Sequence, residues 1–160
     1  APTTASGATW APNTITYSGN NRTHMIRVPG PGRFELRLMD GATNPYLLQA
    51  GILAAGIDGI EKKRNPGKPL NVNMYEEGHK VKGAKKLPLT LEKALSHLDK
   101  SKVLKDAFGK ETINSYIKLK NREIKKYNSS GVKKIGFKGS KQSNKKSIIT
   151  QWEKDNTLDC

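Results

Sequence analysis

Apolar and polar positions alternate with a period of two near the start of the chain, then change to helical spacing. From Asn13 to Ser18, Ile15 and Tyr17 alternate with Thr14 and Thr16, which predicts a half-buried strand over 13–18. Further strands are predicted over 22–28 and 33–38, with Gly30-Pro31-Gly32 between them as a tight connection. In the last strand Phe34, Leu36 and Leu38 share one face, expected to be core, and Arg33, Glu35 and Arg37 share the other. At Asn44-Pro45 the pattern becomes that of a helix start, with Asn as cap and Pro in the first turn. The helix predicted over 45–64 is apolar nearly all round through Leu47, Leu48, Ile52, Leu53, Ile57 and Ile60, so it is expected to be buried. Asn65-Pro66-Gly67 should end it. Three amphipathic helices follow, over 90–99 (capped by Thr90), 101–108 and 111–127. The fold class is α+β, antiparallel strands packed with helices.

Composition narrows this picture. With 160 residues, 34% of them hydrophobic, the chain is long enough for one domain with a real core. It holds no apolar run of membrane-spanning length and no signal peptide pattern, and a cytoplasmic location is expected. The lone Cys160 excludes an internal disulfide framework. Because the chain begins at Ala1 without a methionine, it is expected to be a piece of a longer gene product, and its Gly/Pro-punctuated first residues, with Trp10, read as a loop.

The net charge of +15 is unevenly placed. Residues 1–61 hold four arginines (Arg22, Arg27, Arg33, Arg37) against Glu35, Asp40, Asp58 and Glu61, and no lysine occurs before Lys62. The excess therefore lies in residues 62–160. Lys125 to Lys146 contains eight lysines and no acid, so residues 125–147 are expected to form a flexible insertion, followed by a tail over 148–160 that carries Trp152. Such a segment can neutralise nucleic-acid phosphates, and a noncatalytic nucleic-acid-binding protein is the alternative from another functional class. A solvated loop is the better reading, because only Tyr127 and Phe137 are aromatic there and no recognised binding motif is present.

The arginines of the first part pose a different question. A guanidinium is a rigid fork suited to phosphate and carboxylate oxygens, and it keeps its charge when half buried. Glu35 among them would pair with them or hold a hard cation such as Mg²⁺. The alternative is an ordinary sheet face with cross-strand ion pairs worth ~0.2 to 1 kcal/mol each. Arg22 and Arg27 are five apart, so a bulge or strand end must intervene if both reach one pocket. The histidines His24, His79 and His97 lack metal-ligand spacing, although His24 could line the charged face.

These residues also carry a family likeness. Tyr17-Ser18-Gly19-Asn20-Asn21-Arg22-Thr23, Ile26-Arg27-Val28-Pro29, Arg33-Phe34-Glu35-Leu36-Arg37, Asn44-Pro45-Tyr46, Ala55 to Ile60 and Asn65-Pro66-Gly67 resemble the C-terminal catalytic region of glutamine synthetases. Leu87-Pro88, Leu91 to Leu95 and Tyr116 to Lys120 look like that family's closing helices. The likeness spans residues 10 to about 125 in one register, so residues 1–124 are assigned to the C-terminal part of the catalytic domain.

The resemblance implies ATP-dependent joining of an amine, usually ammonia, to the γ-carboxylate of L-glutamate through γ-glutamyl phosphate, with Mg²⁺ or Mn²⁺. By position, Glu35 resembles a metal ligand between nucleotide phosphates, Arg27 an arginine on the ATP phosphates, and Arg33 one lining the phosphate-transfer site. Arg22 resembles an arginine reaching both the phosphoryl group and glutamate, and Arg37 one binding the glutamate carboxylate. Family sites form between subunits of a ring-shaped homo-oligomer, and the N-terminal domain and first half of the catalytic domain lie upstream of the part present. The chain by itself is accordingly expected to be inactive.

Three departures stand out. Trp10 occupies the place of a flap glutamate that handles the ammonium proton, which raises a γ-glutamylmethylamide synthetase or a related branch as an alternative. The loop between Arg27 and Arg33 is shorter than in familiar bacterial members, so a lysine near ATP has no counterpart. Tyr75 falls where some bacterial members carry an adenylylated tyrosine, without a matched regulatory surface.

Overall fold

The structure is a computed structural model that describes residues 11–131 together with Trp152, Asp155 and Asn156. It divides into two compact units, one comprising the described residues before Asn44 together with Gly59–Leu89, the other Asn44–Asp58 with the described residues from Thr90 onward.

The first unit holds a three-stranded sheet, β1 (Tyr17–Ser18), β2 (Ile26–Gly30) and β3 (Arg33–Leu36), in that order. β2 and β3 form the expected antiparallel hairpin, turning at Pro31-Gly32, where Gly32 has a φ of 71° that a larger residue would resist. Arg27 lies opposite Glu35 and Gly30 opposite Arg33, so β2 fits three steps against two. Pro29, which has no N–H to give a ladder, falls in that bulge. β1 pairs with β2 in parallel, Tyr17 beside Ile26 and Ser18 beside Arg27, where the sequence predicts a reversal. The predicted strands over 13–18 and 22–28 are correspondingly short, and Arg22 stands in a turn.

Which face of the sheet is dry also differs from expectation. Thr14, Thr16, Ser18, Thr23, His24 and Arg27 are buried, whereas Ile15, Val28, Phe34 and Leu38 are exposed, Phe34 to 59%. The polar side is covered because later segments lie along it and satisfy its donors. Lys85 and Asn13 contribute carbonyls that accept from the N–H groups of Ile15 and Leu87 (both 2.9 Å), and the Tyr17 carbonyl accepts from the Leu70 N–H (3.0 Å). The Tyr17 hydroxyl donates to the Gly67 carbonyl at 2.7 Å. Phe34 and Leu38 meet no such cover among the described residues.

Helix α1 (Pro45–Glu61) starts as predicted: Asn44 Oδ1 accepts from the N–H groups of Tyr46 (3.1 Å) and Leu47 (3.0 Å). It ends at Glu61, three residues before the predicted bound. Lys63, at φ 48°, takes the left-handed position, and the N–H groups of Lys63 and Arg64 close on the carbonyls of Ile60 (3.0 Å) and Gly59 (2.9 Å). Lys63→Gly is expected to stabilise the protein by about 1 kcal/mol by removing the Cβ strain of that position; an unchanged or lowered unfolding midpoint would contradict this. The expected burial of α1 is not found: none of its residues is buried, and Tyr46, Leu53 and Ile60 are 81%, 65% and 79% exposed. An all-round apolar sequence needs neighbours on every side, and the described residues do not supply them.

In the second unit α2 (Leu91–Lys100) and α3 (Lys102–Phe108) pack on α4 (Lys110–Ser129), with Leu95 and Ile113 as the buried apolar residues. Thr90 and Ser101 cap α2 and α3 by accepting from the N–H groups of Lys93 and Leu104, both at 3.3 Å. Trp152 meets Tyr127 of α4 edge to face, ring centres 5.2 Å apart. The first residues of the lysine-rich segment belong to α4, and Val132 onward in that segment, with Trp10 and Cys160, is outside the described residues.

Candidate functional site

The charged site is built on the β2–β3 hairpin. Cross-strand register sets Arg27 against Glu35, and Arg27 Nη1 donates to Glu35 Oε1 at 2.5 Å. Arg27 is buried, its Nε donates to Asn20 Oδ1 at 2.9 Å, and its other terminal nitrogen shares the same oxygen. Three donors of one planar fork are thus directed by two acceptors, which fixes the guanidinium plane. The Glu35 side chain is 38% exposed, so its carboxylate also faces outward.

Glu35 is held below its ordinary value, first by the Arg27 hydrogen bond, against an opposing effect of burial, and then by the positive charges of Arg27, Arg22 and Arg33. The structure therefore brings Arg22, Arg27 and Arg33 within electrostatic reach of one acid. The parity problem between Arg22 and Arg27 dissolves because Arg22 is carried by the turn before β2, where strand alternation does not apply. Arg37 is not among the charges that shift Glu35. It follows the end of β3, its N–H donates to the Met25 carbonyl at 2.8 Å, and its charge acts on Tyr75. Arg37 Nη1 is buried with no hydrogen-bond partner among the described residues.

The Arg22 turn is tied down on both flanks. Asn21 Oδ1 accepts from the N–H (3.0 Å) and hydroxyl (2.8 Å) of Thr23, and Asn21 Nδ2 donates to the Val72 carbonyl at 3.0 Å. The Thr23 hydroxyl oxygen in turn accepts from the Met74 N–H at 3.0 Å. His24, expected as a possible lining of the charged face, is instead fully buried, with Nδ1 3.0 Å from Thr16 Oγ1 and Nε2 3.0 Å from the Val72 carbonyl. A carbonyl can only accept, so Nε2 carries the proton and donates. Burial lowers the His24 pKa, partly offset by the Val72 hydrogen bond. A histidine depressed on folding stabilises the fold above its unfolded value of roughly 6.5, and that contribution is lost as pH falls through the folded value.

Sequence reasoning did not single out Asn20 or the Val72 carbonyl. The adjacent asparagines before Arg22 were the available signal, since Asn in a turn commonly satisfies nearby backbone. Among the described residues no group of three or more His, Cys, Asp or Glu could hold a metal ion. Glu35 offers one carboxylate beside three guanidiniums, a charge set that suits a cation only together with a polyanion such as a phosphate chain.

A family model described as glutamine synthetase, catalytic domain, matches residues 6–138. The chain belongs to the glutamine synthetase family. A glutamine synthetase of Rhizobium leguminosarum bv. phaseoli is 53% identical over 159 residues, covering 99% of this chain and 32% of that protein. A glutamate–methylamine ligase of Methyloversatilis universalis is 45% identical over 124 residues, covering 76% of this chain and 28% of its own. Among solved structures, a GmaS/ADP complex superposes with a TM-score of 0.74 at 48% identity, covering 100% of this chain and 33% of that one. This member of the glutamine synthetase family thus spans about a third of the length of these relatives. The three-stranded sheet and four α-helices, α1 to α4, of the described residues match a fragment of the glutamine synthetase catalytic domain. No described helix is long and apolar enough to cross a membrane.

Proposed function

We propose that the protein joins an amine to the γ-carboxylate of L-glutamate at the expense of ATP, through γ-glutamyl phosphate, with ammonia as the amine. The observation that carries this reading is the Arg27–Glu35 pair, its guanidinium fixed by Asn20, on which the charges of Arg22 and Arg33 also act. Phosphoryl transfer depends mainly on positioning and charge neutralisation, so guanidiniums and a metal-holding carboxylate are what it needs. In this reading Arg22 and Arg33 face the transferring phosphoryl group and Arg27, fixed by Asn20, the nucleotide phosphates. Glu35 is one ligand for Mg²⁺ or Mn²⁺, which when bound neutralises phosphate oxygens. Further ligands come from outside the described residues, and a ring of identical subunits completes the site. This chain alone is inactive on this proposal.

Arg37 binds a carboxylate of glutamate, a role that its unpartnered buried Nη1 suits. Arg37→Lys keeps the charge and loses the fork, so the KM for glutamate is expected to rise about tenfold with kcat changed less. Unaltered glutamate kinetics would remove Arg37 from the substrate site.

A second reading is γ-glutamylmethylamide synthesis, favoured by the glutamate–methylamine ligase relative and the GmaS structures. The deciding experiment supplies the intact protein with ATP, Mg²⁺ and glutamate, offers ammonia or methylamine, and follows phosphate release and the amide formed. Glutamine as the main product supports the first reading, and γ-glutamylmethylamide the second. Formation of neither amide overturns both.

A further inference from the structure

His24 is a fully buried titratable residue that the proposed chemistry does not use. Its ring bridges three separate pieces of chain: the turn carrying Arg22, Thr16 before β1, and the loop at Val72. Arg22 itself is exposed and stands between Asn21 and Thr23, whose side chains bond to that same loop at the Val72 carbonyl and the Met74 N–H. The main chain on both sides of Arg22 is therefore referenced to residues about fifty positions later. The Val72 carbonyl accepts from Asn21 Nδ2 and His24 Nε2 together, one on each side of Arg22.

We propose that His24 is a positioning residue for Arg22, its ring clamping the Arg22 turn between Thr16 and the Val72 carbonyl so that the guanidinium enters the phosphate site in one place. The inference rests on the reading of Arg22 as a phosphoryl- and glutamate-facing residue. A misplacement of about 1 Å is enough to cost catalysis up to about 100-fold, so a clamp two residues from the working side chain has kinetic weight. A packed histidine without this role would affect stability and leave the action of Arg22 unchanged.

The test is a double-mutant cycle in the intact protein, reading kcat/KM for ATP and glutamate, unfolding midpoint and pH profile. His24→Leu removes both hydrogen bonds and is expected to lower kcat/KM about tenfold or more, whereas His24→Gln, whose amide can still donate to Val72, restores most of it. In an Arg22→Ala background His24→Leu is expected to add almost nothing, because both changes remove the same contribution. The acid side of the wild-type profile should also change in His24→Gln, which cannot titrate. If His24→Leu does not fold, Thr23→Val in the same cycle cuts the Met74 anchor and tests the same clamp. Fully additive effects of either variant with Arg22→Ala, or no rescue by Gln, would overturn the proposal. An Arg22→Ala variant as active as wild type would instead remove the reading of Arg22 on which it rests.

Discussion

Glu35→Gln in the intact protein is expected to lower metal-dependent turnover about 100-fold, with the Mg²⁺ concentration for half-maximal rate raised. The amide is the same size as the carboxylate but brings no negative charge, so Arg27 is left without its counter-ion and a cation loses a charged ligand. The Arg27 hydrogen bond, helped by the nearby arginine charges, holds the Glu35 pKa below its ordinary value. Its contribution to stability is therefore present above an unfolded value of about 4.3 and is lost as pH falls through the lower folded value. Across neutral pH it should add no titration to the rate profile. Unchanged turnover and Mg²⁺ dependence in the variant would remove the metal role.

The second large effect is expected at Arg27. Arg27→Lys retains a positive charge but cannot address Asn20 Oδ1 and Glu35 Oε1 together from one planar group. Loss of about 2 kcal/mol of stability is expected, mostly from the Asn20 side, because the Glu35 carboxylate is partly exposed and its ion pair is screened. Turnover should fall as well, since Glu35 loses its fixed partner. Denaturant unfolding of the variant beside wild type checks the first effect and initial rates at saturating ATP the second. An unaltered unfolding midpoint would show that the Asn20–Arg27–Glu35 arrangement does not stabilise the hairpin.

Asn20 shows what sequence reasoning can and cannot reach. The arginines announced themselves by type, because a stretch that uses arginine and no lysine selects for the fork. Asn20 did not, because its role depends on where a side chain seven residues later folds back. The helices were legible for a local reason: caps such as Asn44 and Thr90 act within three residues of themselves. The parallel pairing of β1 with β2 was not, since two short extended runs around a turn are compatible with either direction until the Thr16 carbonyl accepts from Ile26 at 3.1 Å.

Alternation along the chain by itself determined which residues share a side: Phe34 with Leu36, Arg33 with Glu35, Thr14 with Thr16. Local chemistry likewise determined the hairpin turn and the helix starts. Only the tertiary structure decided which side is dry, and it buried the threonines and His24 while leaving Phe34 and Leu38 exposed. The physical reason is that a face is dry only when something covers it. Here the cover is backbone some fifty or more residues downstream, around Gly67 to Met74 and Lys85 to Leu87, which offers hydrogen bonds to polar groups.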